Sequence, residues 1–169
     1  MEGGYARRRR AFDRGGGPLM PVRDAEVGDI GEICSLIEEH ARYEGNDALV
    51  LDRVEMTKHL FGPEPKAWVL IVESPEHPGE VAGFAFCSWN FSTWEARPGI
   101  WLDDLFVRPG YRRFGLGREL LDALRARTEG RVEWDMQEGN EKATAFYAKL
   151  GAEPVPGWIR YRWRPGAVS

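Results

Sequence analysis

Apolar residues recur along this chain at two spacings, and the switches between them mark its elements. A short strand is expected at Pro21–Arg23, followed by a helix. In that helix Ile30, Ile33, Cys34, Leu36, Ile37 and Ala41 keep a period near 3.6 as far as Tyr43, with Asp29 as its expected N-cap and Gly45 as its stop. Leu51–Phe61 predicts a second short helix capped by Asp52, and Gly62-Pro63-Glu64-Pro65 breaks it. Ala67–Glu73 and Val81–Trp89 read as two strands of a hairpin around the Pro/Gly-bearing loop Ser74–Glu80. Phe91–Pro98 reads as a loop presenting Phe91 and Trp94.

Ile100–Val107 predicts a buried strand interrupted by Asp103 and Asp104 and stopped by Pro109-Gly110. On such a strand, neighbours point to opposite faces, so the two aspartates are expected on opposite sides, Asp104 as a salt-bridge partner. Leu116, Leu120, Leu121 and Leu124 then return to the helical period. Arg131–Met136 alternates as a strand. Asn140 caps a helix with Ala143, Phe146, Tyr147 and Leu150 on one face and Gly151 at its end. Trp158–Trp163 alternates as a last strand. The expected order is β-α-α-β-β-β-α-β-α-β, an α/β (α+β) arrangement.

Chemistry enters between the central strand and its helix. Arg112-Arg113-Phe114-Gly115-Leu116-Gly117 puts two glycines where backbone can come close to a ligand. The first N–H groups of the helix have no partner within it. With the helix dipole and Arg112, Arg113 and Arg118, they form an anion site suited to a phosphate or pyrophosphate. The same residues also fit a plain strand-to-helix loop whose glycines serve geometry alone. Gly115-Leu116-Gly117 lacks the third glycine of the dinucleotide fingerprint, and no Gly-Lys-Ser/Thr marks a P-loop.

The 169 residues are enough for one domain with a core, and 43% apolar with 30% charged residues is ordinary for a soluble globular chain. A net charge of −4 gives no support for nucleic-acid binding. No apolar run is long enough to cross a bilayer, so no membrane partner is expected. Cys34 and Cys87 fall in apolar segments, as reduced core residues without a metal pattern, so no metal and a cytoplasmic location are expected. Residues 1–19, with Arg7–Arg10 and several glycines, read as a disordered leader. A basic segment touching RNA or membrane is the alternative, and no apolar stretch follows to make it an export signal. Residues 20–164 form the expected domain, with 165–169 as a loose tail.

Several words resemble the GNAT N-acetyltransferase superfamily, in particular its diamine (spermidine/spermine) and thialysine N-acetyltransferases. They are Ala41-Arg42-Tyr43-Glu44, Val81-Ala82-Gly83-Phe84-Ala85, Leu102-Asp103-Asp104-Leu105-Phe106-Val107, Tyr111 through Gly117, and Asn140-Glu141 with Phe146-Tyr147 and Gly151-Ala152. The resemblance implies a mixed, mostly antiparallel sheet of six to seven strands with about four helices. It implies acetyl-CoA as co-substrate and a small cationic amine as acceptor. The pyrophosphate would sit on Arg112, Arg113, Phe114, Gly115, Leu116, Gly117 and Arg118. The pantetheine arm would lie along the backbone of Leu105, Phe106 and Val107, with Asn140 and Lys142 also near the cofactor. Tyr147 would be the general acid, and Asp103, where the family carries a glutamate, would bind the amine and help remove its proton. Tyr43, Glu44, Glu133, Trp134 and Asp135 would line the acceptor side. A homodimer joined through C-terminal strands is implied too.

Read without the resemblance, Tyr147 is a core tyrosine, Asn140 only a cap and each acid a solvated charge. No cysteine lies on the motif, so direct attack in a ternary complex is expected. The alternatives are the same transfer to a protein, peptide or aminoglycoside amine, with Phe91, Trp94 and Trp101 lining the acceptor site, or a CoA-binding regulatory module.

Overall fold

The computed structural model describes residues 22–164. The expected leader 1–19, Pro21 and the tail 165–169 lie outside them.

One sheet organises the chain: β1 (Val22–Asp24), β2 (Trp68–Glu73), β3 (Val81–Ser92), β4 (Arg97–Val107) and β5 (Val132–Trp134), in the order β1-β2-β3-β4-β5. The first four pair antiparallel and β5 joins β4 in parallel. β2 is buried on both faces, and so is β3 along most of Val81–Cys87, which explains the almost continuous apolar sequence there. Helices α1 (Ile30–Tyr43) and α2 (Arg53–Phe61) cover one face. Ile33, Leu36, Ile37 and Leu60 there meet Val69, Ile71, Phe84 and Phe106. Helix α3 (Leu116–Arg125) covers the other, where its four leucines meet Leu70, Val72, Ala85, Cys87, Ile100 and Leu102. Helix α4 (Glu141–Lys149) packs Phe146 and Tyr147 against the same cluster.

The local signals account for most boundaries. The Asp52 carboxylate accepts from the N–H groups of Val54 and Glu55 to start α2. The Asn140 side chain accepts from the Ala143 N–H at 3.1 Å to start α4. Both cysteines are buried and free. Asp29 precedes α1 but does not cap it. Its carboxylate accepts from the Arg23 guanidinium at 2.7 and 2.9 Å and from the Glu26 N–H at 2.7 Å.

Two further expectations are corrected. The sheet has five strands among the described residues, not six or seven, because Trp158–Trp163 forms none and its large side chains are exposed. The expected loop Phe91–Pro98 is half strand: Phe91 pairs with Pro98 and Ser92 with Arg97, leaving a short turn that carries the exposed Trp94.

Candidate active site

The site begins where β5 leaves β4. Their pairing stops at Leu102 with Trp134, so the rest of β4 has no strand beside it on that edge. Antiparallel ladders alternate hydrogen-bonded and open pairs. The Arg108 N–H donates to Ala82 O at 2.9 Å, which makes that pair a bonded one. Stepping back along the register, Val107 opposite Gly83 and Leu105 opposite Ala85 are open pairs, so their peptide groups turn to the free edge. Phe106 opposite Phe84 is a bonded pair, so its peptide groups serve β3. A methyl on Gly83 would stand 2.6 Å from the Phe106 carbonyl oxygen, in line with that orientation. Of the three expected backbone contacts, the Leu105 peptide groups and the Val107 N–H are therefore open to a ligand, while the Val107 carbonyl accepts from Arg112 and Phe106 contributes its ring instead.

A bulge re-aims the acids. Phe86 pairs with Asp104 but Cys87 with Leu102, so Asp103 is the extra residue. Asp103 accepts from the Trp101 indole N–H at 3.0 Å and lies 3.5 Å from the Ser88 hydroxyl. Asp104 meets His40 Nδ1 of α1 at 3.2 Å. Both aspartates therefore lie on the α1 face, which corrects the expectation of opposite faces. Asp104 does have its expected salt-bridge partner. Packing around Asp103 holds its carboxyl above the usual carboxylate range, with Asp104 adding to the rise while the Trp101 and Ser88 donors oppose it.

Most of the expected acceptor-side residues gather on this face, with Trp134 on the other. His40 Nε2 stands 3.8 Å from Glu44, and the His40 ring stacks on Phe106 at 5.3 Å. Arg112 lies over the Tyr43 ring at 4.4 Å and donates to Val107 O at 2.9 Å. It thus ties the loop to α1 rather than standing free beside Arg113. The Arg108 guanidinium pairs with Glu32 and Glu39 at 2.7 Å, locking the end of β4 to the same helix. Glu133 pairs with Arg131 at 2.8 Å, and Asp135 pairs with Arg160, whose guanidinium lies 4.2 Å over the Trp101 ring. Sequence reasoning passed over His40 and Arg160. The His40–Glu44 spacing of four on a helix was the available signal for the first.

The anion end follows the open edge. Gly115 enters α3 with φ +85°, a left-handed conformation that favours glycine, and Arg113 shares that region at φ +76°. The first helical bonds run from the Arg118 and Glu119 N–H groups to Gly115 O, so the Leu116 and Gly117 N–H groups precede them. Arg113, Phe114 and Arg118 are exposed around this start, and Arg118 also approaches Asp122 at 3.5 Å. Gly117 faces Phe146: a methyl there would stand 3.4 Å from its ring.

Tyr147 comes from the opposite face to the acids. Its ring packs on Trp134 at 4.7 Å and Phe146 at 5.2 Å, and burial pushes its phenol pKa up, so it holds its proton at neutral pH. Trp134 is also the last residue of β5 to pair with β4, so Tyr147 packs where the two strands part. Asn140 and Lys142 lie at the start of the same helix, with Lys142 exposed. Among the described residues no group of three or more His, Cys, Asp or Glu side chains is arranged to hold a metal ion, and no helix is long and apolar enough to cross a membrane.

Comparison with known proteins identifies the family and the fold. Residues 32–152 match the model of the acetyltransferase (GNAT) family. The thialysine N-epsilon-acetyltransferase of Bos taurus is 30% identical over 163 residues, covering 89% of this chain and 95% of its own. The spermidine/spermine N(1)-acetyltransferase-like protein 1 of Homo sapiens is 32% identical over 108 residues, 61% of this chain and 15% of its own. Among solved structures, an integron cassette protein of V. cholerae superposes with a TM-score of 0.71 at 20% identity, covering 89% of this chain and 95% of the other, which supports the fold.

Proposed function

This chain belongs to the GNAT acetyltransferase family and is an N-acetyltransferase; we propose that it moves acetyl from acetyl-CoA to a primary amine of a small cationic acceptor by direct attack in a ternary complex. The acceptor is a diamine, a polyamine or a lysine-like amino acid. The observation that carries this reading is the open edge of β4 past Leu102, with a proton donor on one face of the strand and carboxylates on the other.

The residues fit the donor. The Leu105 peptide groups and the Val107 N–H offer hydrogen bonds to its amide-bearing arm. The free N–H groups at the start of α3, with Arg113 and Arg118, suit its pyrophosphate. Asn140 and Lys142 flank the same side. Bound there, the donor supplies a thioester carbonyl to the amine.

Each side of β4 then has a task. Asp103, Glu44, Glu133 and Asp135 draw in a cation, and Tyr43 and Trp134 give it apolar walls. Carboxylates also raise the pKa of the amine they hold. An alkyl amine, with a reference pKa near 10.4, is neutral in only about one molecule in a few thousand at pH 7, so the acceptor side must also remove a proton. When the neutral amine attacks, a carbon–nitrogen bond forms and the carbon–sulfur bond breaks; the leaving thiolate takes the phenolic proton of Tyr147, which burial keeps in place until then, and the proton shed by the new amide nitrogen restores the phenol through solvent.

The bovine thialysine and human spermidine/spermine relatives support an acceptor of this class. The exposed side chains of Trp158, Ile159, Tyr161 and Trp163 support a homodimer in which this segment completes a sheet of the second copy. Two buried free thiols fit the reducing cytoplasm.

Thiol release from acetyl-CoA, measured against polyamines, lysine analogues, aminoglycosides and peptides, tests the reading. Turnover with a small cationic amine, cut sharply in Tyr147→Phe and Asp103→Ala, is expected. Turnover with aminoglycosides or peptides alone would keep the chemistry and replace the acceptor. Tight CoA binding without turnover would point to a binding module.

A further inference from the structure

The structure shows a histidine where the acceptor's proton must go. We propose that His40 Nε2, set by Asp104, is the base that accepts that proton; the proposal rests on the amine-acceptor reading above.

The geometry is that of an oriented imidazole. Asp104 lies 3.2 Å from Nδ1, so a carboxylate faces that nitrogen; the proposal places the ring proton there, with the Nε2 lone pair free. Phe106 stacks on the ring at 5.3 Å with 28° between planes and restrains its rotation. Nε2 then faces Glu44 at 3.8 Å, a carboxylate suited to holding the acceptor's ammonium. An ammonium bound at Glu44 therefore stands next to the free lone pair, directly or through one water. The bulge is what makes this arrangement: were Asp103 a regular ladder position, alternation from Leu102 would turn Asp104 to the α3 face, away from α1.

The step balances. One N–H bond of the ammonium breaks and its electron pair stays on nitrogen, while a new N–H bond forms at Nε2. Asp104 stabilises the resulting imidazolium from the other side. The proton leaves to solvent from the same Nε2, so the ring starts the next turnover in its first tautomer. A neutral imidazole with one ring nitrogen free is a usual proton acceptor in general-base catalysis. The charged groups around it are Asp103 and Asp104 on β4, Glu44 on α1 and Arg112 from the loop.

The test compares two acceptors in wild type and His40→Gln. One is an alkyl amine; the other is an analogue that keeps a distal cation but ends in a hydrazide, already neutral at pH 7. For the alkyl amine, His40→Gln is expected to lower kcat/KM about 100-fold and to change the shape of its pH profile. The hydrazide should lose little. Nitrogen NMR of wild type gives a readout independent of turnover and of the variant's folding: His40 should carry its proton on Nδ1 when neutral. Equal losses for both acceptors with an unchanged pH profile, an unaffected variant, or a neutral ring protonated on Nε2 would each overturn the assignment. A wild type silent towards every amine would sink the acceptor reading, and the base with it.

Discussion

The two faces of β4 are built on different principles. On the α3 face, Ile100, Leu102, Leu105 and Val107 join a leucine-lined cluster, and the expected donor contacts beside it are peptide groups, a glycine-led helix start and one phenol. On the α1 face, the same strand carries Trp101, Asp103, Asp104 and Phe106, bound into a set with His40, Tyr43 and Arg112. A donor recognised through its backbone-facing arm and phosphates needs geometry more than side-chain identity. An acceptor recognised by its charge needs specific side chains. The contrast teaches that one strand can serve both when its β5 partner ends early and one extra residue resets its alternation.

The largest expected effect isolates the donor face. Tyr147→Phe keeps the packing on Trp134 and Phe146 and removes only the proton. Its kcat should fall about 100- to 10,000-fold while the KM for acetyl-CoA stays nearly constant in steady-state kinetics. A comparable fall in donor affinity would show that the phenol binds rather than donates.

Next comes the backbone between the faces. Gly83→Ala sets a methyl 2.6 Å from the Phe106 carbonyl oxygen in the β3–β4 ladder. A loss of about 1–3 kcal/mol in chemical denaturation is expected. An unchanged midpoint would mean that β4 moves freely, contrary to a fixed open edge.

Asp103→Asn sharpens the acceptor side. The KM for a cationic amine should rise about tenfold, the size of one charge-assisted contact of roughly 1.4 kcal/mol, with acetyl-CoA binding by calorimetry unaltered. The same change should raise the free energy of unfolding slightly at pH 7, by less than about 0.5 kcal/mol. The sign follows from the raised carboxyl: the fold favours its protonated form, so ionised Asp103 opposes folding above its folded pKa, and the penalty vanishes below the ordinary carboxylate value. Asn removes that penalty, and its gain should fade as the pH falls through that window.

The smallest effect concerns the core under both faces. Burial pushes the Cys87 thiol up to about 12. In the folded protein it should resist iodoacetamide at pH 8 and react at an ordinary rate once denaturant is added, followed by mass spectrometry.

What the sequence made legible follows the same division. The four leucines of α3 and the capped run after Asn140 announced their helices, because one face of each meets a core at a regular period. The Gly115–Gly117 entry to α3 was readable because conformation itself demands glycine at φ +85°. The bulge escaped because alternation was assumed to continue through two adjacent acids. Leu102 and Leu105, three apart yet on one face, were its trace. Arg112 was read as a phosphate ligand because charge next to glycines suggests one, whereas its place over Tyr43 depends on a helix some seventy positions earlier. Trp158–Trp163 has the pattern of a strand, but no edge within the described chain receives it.

The central claim is that β4 past Leu102 presents Leu105 and Val107 to the donor while Phe106 is spent on β3. Amide hydrogen exchange by NMR, with and without CoA, tests it residue by residue. The Leu105 and Val107 amides should exchange quickly in the free protein and become protected on binding, with Phe106 slow throughout. Unchanged exchange at Leu105 and Val107 under saturating CoA would contradict it.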